Sequence, residues 1–332
     1  MISIKINSEP DKKWNDRLLE SGLGTIFQTV ERGILLKSVN RPTHFLKFIN
    51  ETGKIVGQLL IDEIPRFENK NSKKKLIGKL PGIKKIIFNW GYGPIIFDQN
   101  YSSEIYLILN NFLHSKKAVV DGWTNPLSPG NPTNLEKYFQ IIRWGTYMID
   151  LQKSKEEILQ KIDKKSGRKN IERSKNRDVL IEEITSKSLI EFHNLINSTR
   201  EKSNQEKTPF EILKKRWDLF KPLGFSGFLA RKDGEPIGGL LFSHVNGHIL
   251  EAGVARSPLD TSEKLYSQDY IKWKIIEWGV DNNMKYFNLN GFNPNPISDK
   301  ERGIQRYKEK WGGDAYYYYR ILQKPNILTN KL

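Results

Sequence analysis

Two segments of this chain share a pattern that leaves few folds open. FLKFINETGKIVGQLLI and GFLARKDGEPIGGLLF each contain two runs of strand-like residues joined by a four-residue turn signal. The turns are Glu51-Thr52-Gly53-Lys54 in the first and Lys232-Asp233-Gly234-Glu235 in the second. Period-two alternation places one face of a strand in a core, and a turn glycine supplies the positive φ that a tight hairpin requires. The two hairpins agree in polarity, in turn chemistry and in a glycine just inside the second strand. A repeat with a period of about half the chain predicts duplicated units, each too large to be a repeat of a solenoid.

The elements around the hairpins follow a similar order in both halves. In the first, a short helix over Lys12–Glu20 precedes strands at His44–Asn50 and Ile55–Asp62. A basic loop over Lys70–Lys85, the strand-rich stretch IIFNWGYGPIIFD, a helix over Ser103–His114 and a strand at Ala118–Asp121 come next. The Pro/Gly/Ser/Asn-rich run Gly122–Pro132 is a loop, and the boundary falls near Gly145. The second half predicts helices over Ser154–Lys175, Ser188–Arg200 and Phe210–Phe220, then the second hairpin (Gly227–Arg231 with Ile237–His244) and a strand at His248–Val254. A long helix over Glu263–Asn282 and strands at Tyr286–Leu289 and Ala315–Leu322 close it. The fold class expected is α+β, two tandem units with mixed sheets flanked by helices, spanning 1–145 and 146–325, with a tail at 326–332.

Composition excludes several chemistries. The 332 residues include no cysteine, so disulfides, thiolate metal sites and a cysteine nucleophile are ruled out. His44, His114, His193, His244 and His248 show no metal-ligand spacing, and no metal site or bound cofactor is expected. The N-terminal MISIKINSEPDKKW has no apolar core of signal-peptide length, and no apolar run reaches about eighteen residues. The expectation is a soluble, cytoplasmic monomer. A formal net charge of +16 predicts an anionic partner: nucleic acid, a phosphate-rich small molecule or an anionic membrane surface.

Two segments could carry chemistry. In KIDKKSGRKNIERSKNR, helical spacing would put Lys161, Lys164, Lys165, Arg168 and Lys169 on one face, either as a phosphate-attracting stripe or as a solvated surface. No RNP, KH, zinc-finger or basic-zipper pattern accompanies it. In GIQRYKEKWGG, residues 303–313, Tyr307 and Trp311 pack one helical face. Lys308 then reads either as a fixed cation beside a reacting group or, like Lys310, as a solvated lysine. Asp98, Glu263 and Asp269 are conceivable proton acceptors, each also explained as a capping or surface carboxylate. In Tyr316–Tyr319, strand alternation points two rings inward and two outward, and Trp273 and Trp278 read as helix packing. Lys73-Lys74-Lys75 reads as an exposed loop tip.

The duplicated layout resembles Gcn5-related N-acetyltransferases. Their Gly-rich pyrophosphate turn is missing, because GVARSPLDTSEKLYSQ and GPIIFDQNYSSE lack its glycines. Over nearly the whole length the chain resembles the FemABX peptidyltransferases, which carry two tandem acetyltransferase-like domains. YMIDLQKSKEEILQKIDKKSGRKNI looks like that family's Ile-Asp-Leu strand, helix and basic turn. KIIEWGVDNNMKYFNLNGF looks like its helix–strand–Gly element, and GIQRYKEKWGG is similar to its closing motif. FQTVERGILLK and GYGPII extend the match into the first half.

The resemblance implies an amide-forming acyltransferase that moves an amino acid from aminoacyl-tRNA to an amine on a phosphate-bearing cell-envelope precursor. It places Lys308 as the catalytic lysine, Tyr307 beside it, and Lys37 and Arg200 as cations for the acceptor's diphosphate. Lys164, Lys165, Arg168 and Lys169 are then the cations for tRNA phosphates. The sequence departs from the family at Arg32, Tyr307 and Leu250, where it has tryptophan, phenylalanine and tyrosine. An acyl-CoA or acyl-carrier donor, or a non-catalytic RNA- or envelope-binding role, remains an alternative.

Overall fold

The computed structural model describes residues 2–66, 86–116, 118–202 and 204–324. The Lys70–Lys85 loop with its Lys73-Lys74-Lys75 tip, and the tail 326–332, lie outside the described residues. The chain divides into two compact units, Met1–Trp144 with Tyr317–Leu332, and Gly145–Tyr316.

In the first unit, β1 (Ser3–Asn7), α1 (Trp14–Glu20) and α2 (Val30–Lys37) precede the expected hairpin of β2 (Thr43–Ile49) and β3 (Ile55–Pro65). Its turn closes because the Asn50 side chain accepts from the Thr52 and Lys54 amides while Gly53 takes φ +80°. Then follow β4 (Ile86–Trp90), the short β5 (Ile95–Ile96), α3 (Ser102–Ser115), β6 (Val119–Trp123) and α4 (Pro132–Tyr138). β4 and β6 run parallel from Ile87↔Val119 to Trp90↔Gly122. Ile105, Leu109, Phe112 and Leu113 recur at helical spacing on α3 and cover Leu46, Phe48, Leu59 and Ile61 of the sheet. Gln28, fully buried, explains the FQT stretch: it accepts the Leu60 amide at 2.7 Å and donates to the Gly91 carbonyl at 2.7 Å.

β7 (Phe139–Asp150) leads into the second unit. It is followed by α5 (Lys155–Lys161), a π-turn (Lys164–Arg168), α6 (Lys169–Lys175), β8 (Leu180–Glu183), α7 (Leu189–Lys202) and α8 (Phe210–Phe220). The hairpin of β9 (Phe225–Lys232) and β10 (Glu235–Ser243) turns through Asp233 and Gly234, both at positive φ. β11 (His248–Arg256), α9 (Pro258–Ser262), α10 (Ser267–Asp281), β12 (Tyr286–Phe292), α11 (Asp299–Glu309) and β13 (Asp314–Gln323) complete the chain. Within this unit the strand order is β7-β12-β11-β10-β9-β8. Ile271, Ile275 and Ile276 of α10 pack on Leu240, Phe242, Ile249 and Phe287. Gly279 allows that approach, since a Cβ there would stand 2.8 Å from Leu151 Cδ1.

Three boundaries differ from the sequence reading. The helix expected over Ser154–Lys175 is broken, because Ile162 and Asp163 are extended. Ile162 is buried, the Asp163 amide donates to the Lys310 carbonyl at 2.8 Å, and the Asp163 carboxylate re-caps the chain on the Ser166 amide. The cations from Lys161 to Lys169 therefore form no single helical stripe. The long helix starts at Ser267 instead of Glu263, after the separate turn α9 and the positive-φ residues Lys264 and Tyr266. Residues from Tyr317 onward group with the first unit rather than the second, where Arg320–Leu322 pair antiparallel with Asp121–Trp123 of β6.

Candidate active site in the second unit

β11 and β12 run parallel and pair at only three positions, His248↔Tyr286, Ile249↔Phe287 and Leu250↔Asn288. Beyond Leu250 each strand is deformed. On β11 the register with β10 slips, so that Leu241 faces Gly253 and Phe242 faces Glu251, leaving Ala252 as a bulge. Arg216 of α8 donates to the Ala252 carbonyl at 3.0 Å.

On β12 the register with β7 slips between Asn288 and Gly291, and Asn290 takes φ +64°. A buried polar knot fixes that kink. Asn288 Oδ1 accepts from the Asn290 amide at 2.8 Å and lies 2.6 Å from the Thr146 hydroxyl, which is itself 2.9 Å from the Asn290 carbonyl. Asn290 Nδ2 then donates across the gap to the Glu251 carbonyl at 2.9 Å, in place of a ladder bond.

α11 aims a cation at this gap. A capping box starts the helix: the Glu301 amide donates to Ser298 Oγ at 3.2 Å, and Glu301 Oε2 accepts from the Ser298 amide at 3.3 Å. Near the other end, Lys308 Nζ donates to the Gly291 carbonyl at 2.6 Å. Burial pushes the Lys308 ammonium down to about 8. The fully buried Trp311 anchors the segment that follows. Gly312 sits at φ +69°, where a Cβ would meet the Lys161 carbonyl oxygen at 2.5 Å, and a Cβ on Gly313 would meet the Met148 carbonyl oxygen at 2.6 Å. The closing Gly-Gly is thus set by backbone contact.

Lys310, expected to be solvated, is 9 % exposed at its side chain and ion-paired to Asp269 at 2.7 Å. It also donates to the Ser166 carbonyl at 3.0 Å and lies 4.3 Å from the Tyr307 ring centre. Tyr307 is packed as expected. Burial and its hydrogen bond to Asp269 push the Tyr307 phenol well above its usual range. Asp269, considered above as a proton acceptor, is committed to Lys310 and to Asn170, whose Nδ2 donates at 2.8 Å. Asp98 caps a turn by accepting from the Asn100 amide.

Two site residues escaped the sequence reading. Lys272 of α10 is buried and ion-paired to Glu251 of β11. Burial, with repulsion from Lys308 and Lys310, pushes the Lys272 ammonium well below the usual lysine range. The signal was present: Lys272 lies between Ile271 and Trp273, one turn from Ile275 and Ile276, and Glu251 interrupts the apolar run of ILEAGVA.

The other predicted residues lie elsewhere. Lys37 belongs to the first unit, at the end of α2, and donates to the Ser8 carbonyl at 2.8 Å and to Glu9. Arg200 of α7 donates to the Glu206 carbonyl at 3.1 Å. Lys164, Lys165 and Lys169 are exposed, while Arg168 is half-buried with its Nε lacking a hydrogen-bond partner.

The N-terminus of α10, where an anionic ligand would find free amides, is already occupied. Asp260, fully buried, accepts from the Ser267 amide at 2.8 Å and pairs with Arg256. Among the described residues no cluster of acidic or histidine side chains could hold a metal ion, and no helix is long and apolar enough to cross a membrane.

No protein-family model matches this sequence, and no curated protein sequence matches it. Solved structures do. A FemX crystal structure aligns with a TM-score of 0.67 at 11 % identity, covering 96 % of this chain and 97 % of that one. L-PGS from Bacillus licheniformis aligns at 0.58 and 13 %, covering 98 % and 95 %. A tandem GNAT protein from the clavulanic acid biosynthesis pathway aligns at 0.53 and 8 %, covering 97 % of each chain. The chain has a FemABX-like fold, α+β with tandem GNAT-like organisation.

Proposed function

We propose that this chain is an amide-forming acyltransferase that moves an amino acid from aminoacyl-tRNA to an amine on a phosphate-bearing cell-envelope precursor. One observation carries the reading: the Lys308 ammonium points into the gap where β11 and β12 part, hydrogen-bonded to the Gly291 carbonyl. Aminolysis of an ester passes through an anionic tetrahedral intermediate. A cation fixed in a partly desolvated gap stabilises that anion more than water does, by about 3 kcal/mol or more for a single well-placed donor.

The donor follows from what α10 withholds. In an acyl-CoA enzyme of this organisation the helix N-terminus would receive a pyrophosphate; here Asp260 occupies the Ser267 amide and adds a negative charge. An ester carried on a ribose needs no such pocket. The net charge of +16 and the exposed Lys164, Lys165 and Lys169 favour a polyanionic donor, and aminoacyl-tRNA places the reaction in the cytoplasm.

The donor test incubates the full chain with labelled aminoacyl-tRNA or labelled acetyl-CoA and a panel of phosphorylated amines. Loss of label from aminoacyl-tRNA, dependent on an amine and on Lys308, is expected. Consumption of acetyl-CoA with aminoacyl-tRNA untouched would replace this reading by the CoA-dependent one, and consumption of neither would leave a binding protein.

A further inference from the structure

We infer that Glu251 is the proton acceptor for the attacking amine, with Lys272 positioning its carboxylate. This rests on the acyl-transfer reading above. Glu251 is the first residue of β11 after the last pair with β12, and its carbonyl is tied to Asn290 Nδ2. The residue after Asn290 is Gly291, whose carbonyl receives Lys308. The gap thus has the Lys308 cation of α11 held on its β12 side and Glu251 on its β11 side. The Ala252 bulge follows directly, and the Glu251 side chain turns toward α10, where Lys272 contacts it. The two side chains keep only 8 % and 4 % of their surface exposed, so the carboxylate is shielded from bulk water yet borders the gap.

The reaction needs such a group. The amine nitrogen forms a bond to the acyl carbon, the ester C–O bond breaks, and its electron pair leaves with the ribose oxygen. The nitrogen must give up one proton and the ribose oxygen must gain one. Glu251 takes the first and returns it to the leaving oxygen, so the amide and a free hydroxyl form with no net proton change. Lys272, as its buried ion-pair partner, holds the Glu251 carboxylate in one orientation. The other charged and titratable groups around the pair are Lys308 and Tyr307 of α11, Lys310 beyond it, and Asp269, which neutralises Lys310. Arg216 reaches only the neighbouring Ala252 carbonyl.

A purely structural ion pair makes a different forecast. Single-turnover rates would be measured across pH for the wild type, Glu251→Gln, Glu251→Asp, Lys272→Met and the double variant Glu251→Gln/Lys272→Met, with melting temperatures for each. The donor is labelled aminoacyl-tRNA, with the amine that supports turnover in the donor test. Glu251→Gln should lose about 10²–10⁴-fold in rate together with the acidic limb of the profile, and Glu251→Asp should keep part of both. The double variant leaves no unpaired buried charge and should regain the melting temperature but not the rate. Recovery of the rate along with the melting temperature would make the pair structural and overturn the inference. An unchanged rate and profile in Glu251→Gln would also overturn it while leaving the acyl-transfer reading standing. A wild type that consumes no aminoacyl-tRNA would remove both.

Discussion

The Lys308 ammonium donates to the Gly291 carbonyl at 2.6 Å, so a positive charge from α11 sits on the edge that β12 exposes once β11 has turned away. The contact is local in space and remote in pairing. It falls directly after the Asn288–Asn290 kink, past the last position at which β12 pairs with β11.

Holding this charge costs stability, and the cost depends on pH. With its proton held at about 8 instead of the ordinary 10.5, Lys308 binds fewer protons in the folded than in the unfolded chain between those values. Stability from this group therefore rises with pH across that window, and the penalty is fully present below it. At about 1.4 kcal/mol per unit the penalty is on the order of 3 kcal/mol, an upper bound because the side chain is only half-buried. Lys308→Met should therefore melt above the wild type at pH 7, with the gap closing toward pH 10.5, while amide formation falls about 10²–10³-fold. Wild-type turnover should bend downward above about pH 8 as the cation is lost. Calorimetry at three pH values checks the first half, and a wild type more stable than the variant at pH 7 would contradict it.

Gly312→Ala should unfold more readily by about 2 kcal/mol or more. The left-handed backbone alone disfavours a Cβ by about 1–2 kcal/mol, and this Cβ would also stand 2.5 Å from the Lys161 carbonyl oxygen. Urea denaturation of Gly312→Ala beside Gly303→Ala gives the comparison, since a Cβ at Gly303 meets nothing within 4 Å.

Asp260→Ala leaves the Ser267 amide without its acceptor and Arg256 without its partner, at a cost of about 1–3 kcal/mol. Aminoacyl transfer should persist to within about threefold at temperatures where the variant stays folded. Freeing the helix end should not create acetyl-CoA consumption, because the link from Gly253 to Ser267 has no glycine to let its backbone approach a pyrophosphate closely. Appearance of CoA turnover in this variant would show that the carboxylate alone excludes that donor.

What was legible in the sequence was what short-range chemistry fixes. Both hairpins appear where Gly53 and Gly234 announce them, and α11 ends at the glycines that the closing motif supplies. The break at Ile162–Asp163 was hidden because its cause, the Lys310 carbonyl, lies 147 residues further along. Lys310 looked solvated for the same reason: Asp269 reaches it from another helix. Glu251 and Lys272 were readable as charges on apolar faces, but only their pairing explains why both are tolerated there.

The final strand also sets an order of events during synthesis. β6 pairs with β4 on one side and with Arg320–Leu322 on the other. The edge of β6 therefore stays unpaired while residues 145 to 316 are translated and fold. A ribosome-bound chain carries that bare edge, open to non-native strand addition, until Arg320–Leu322 emerge.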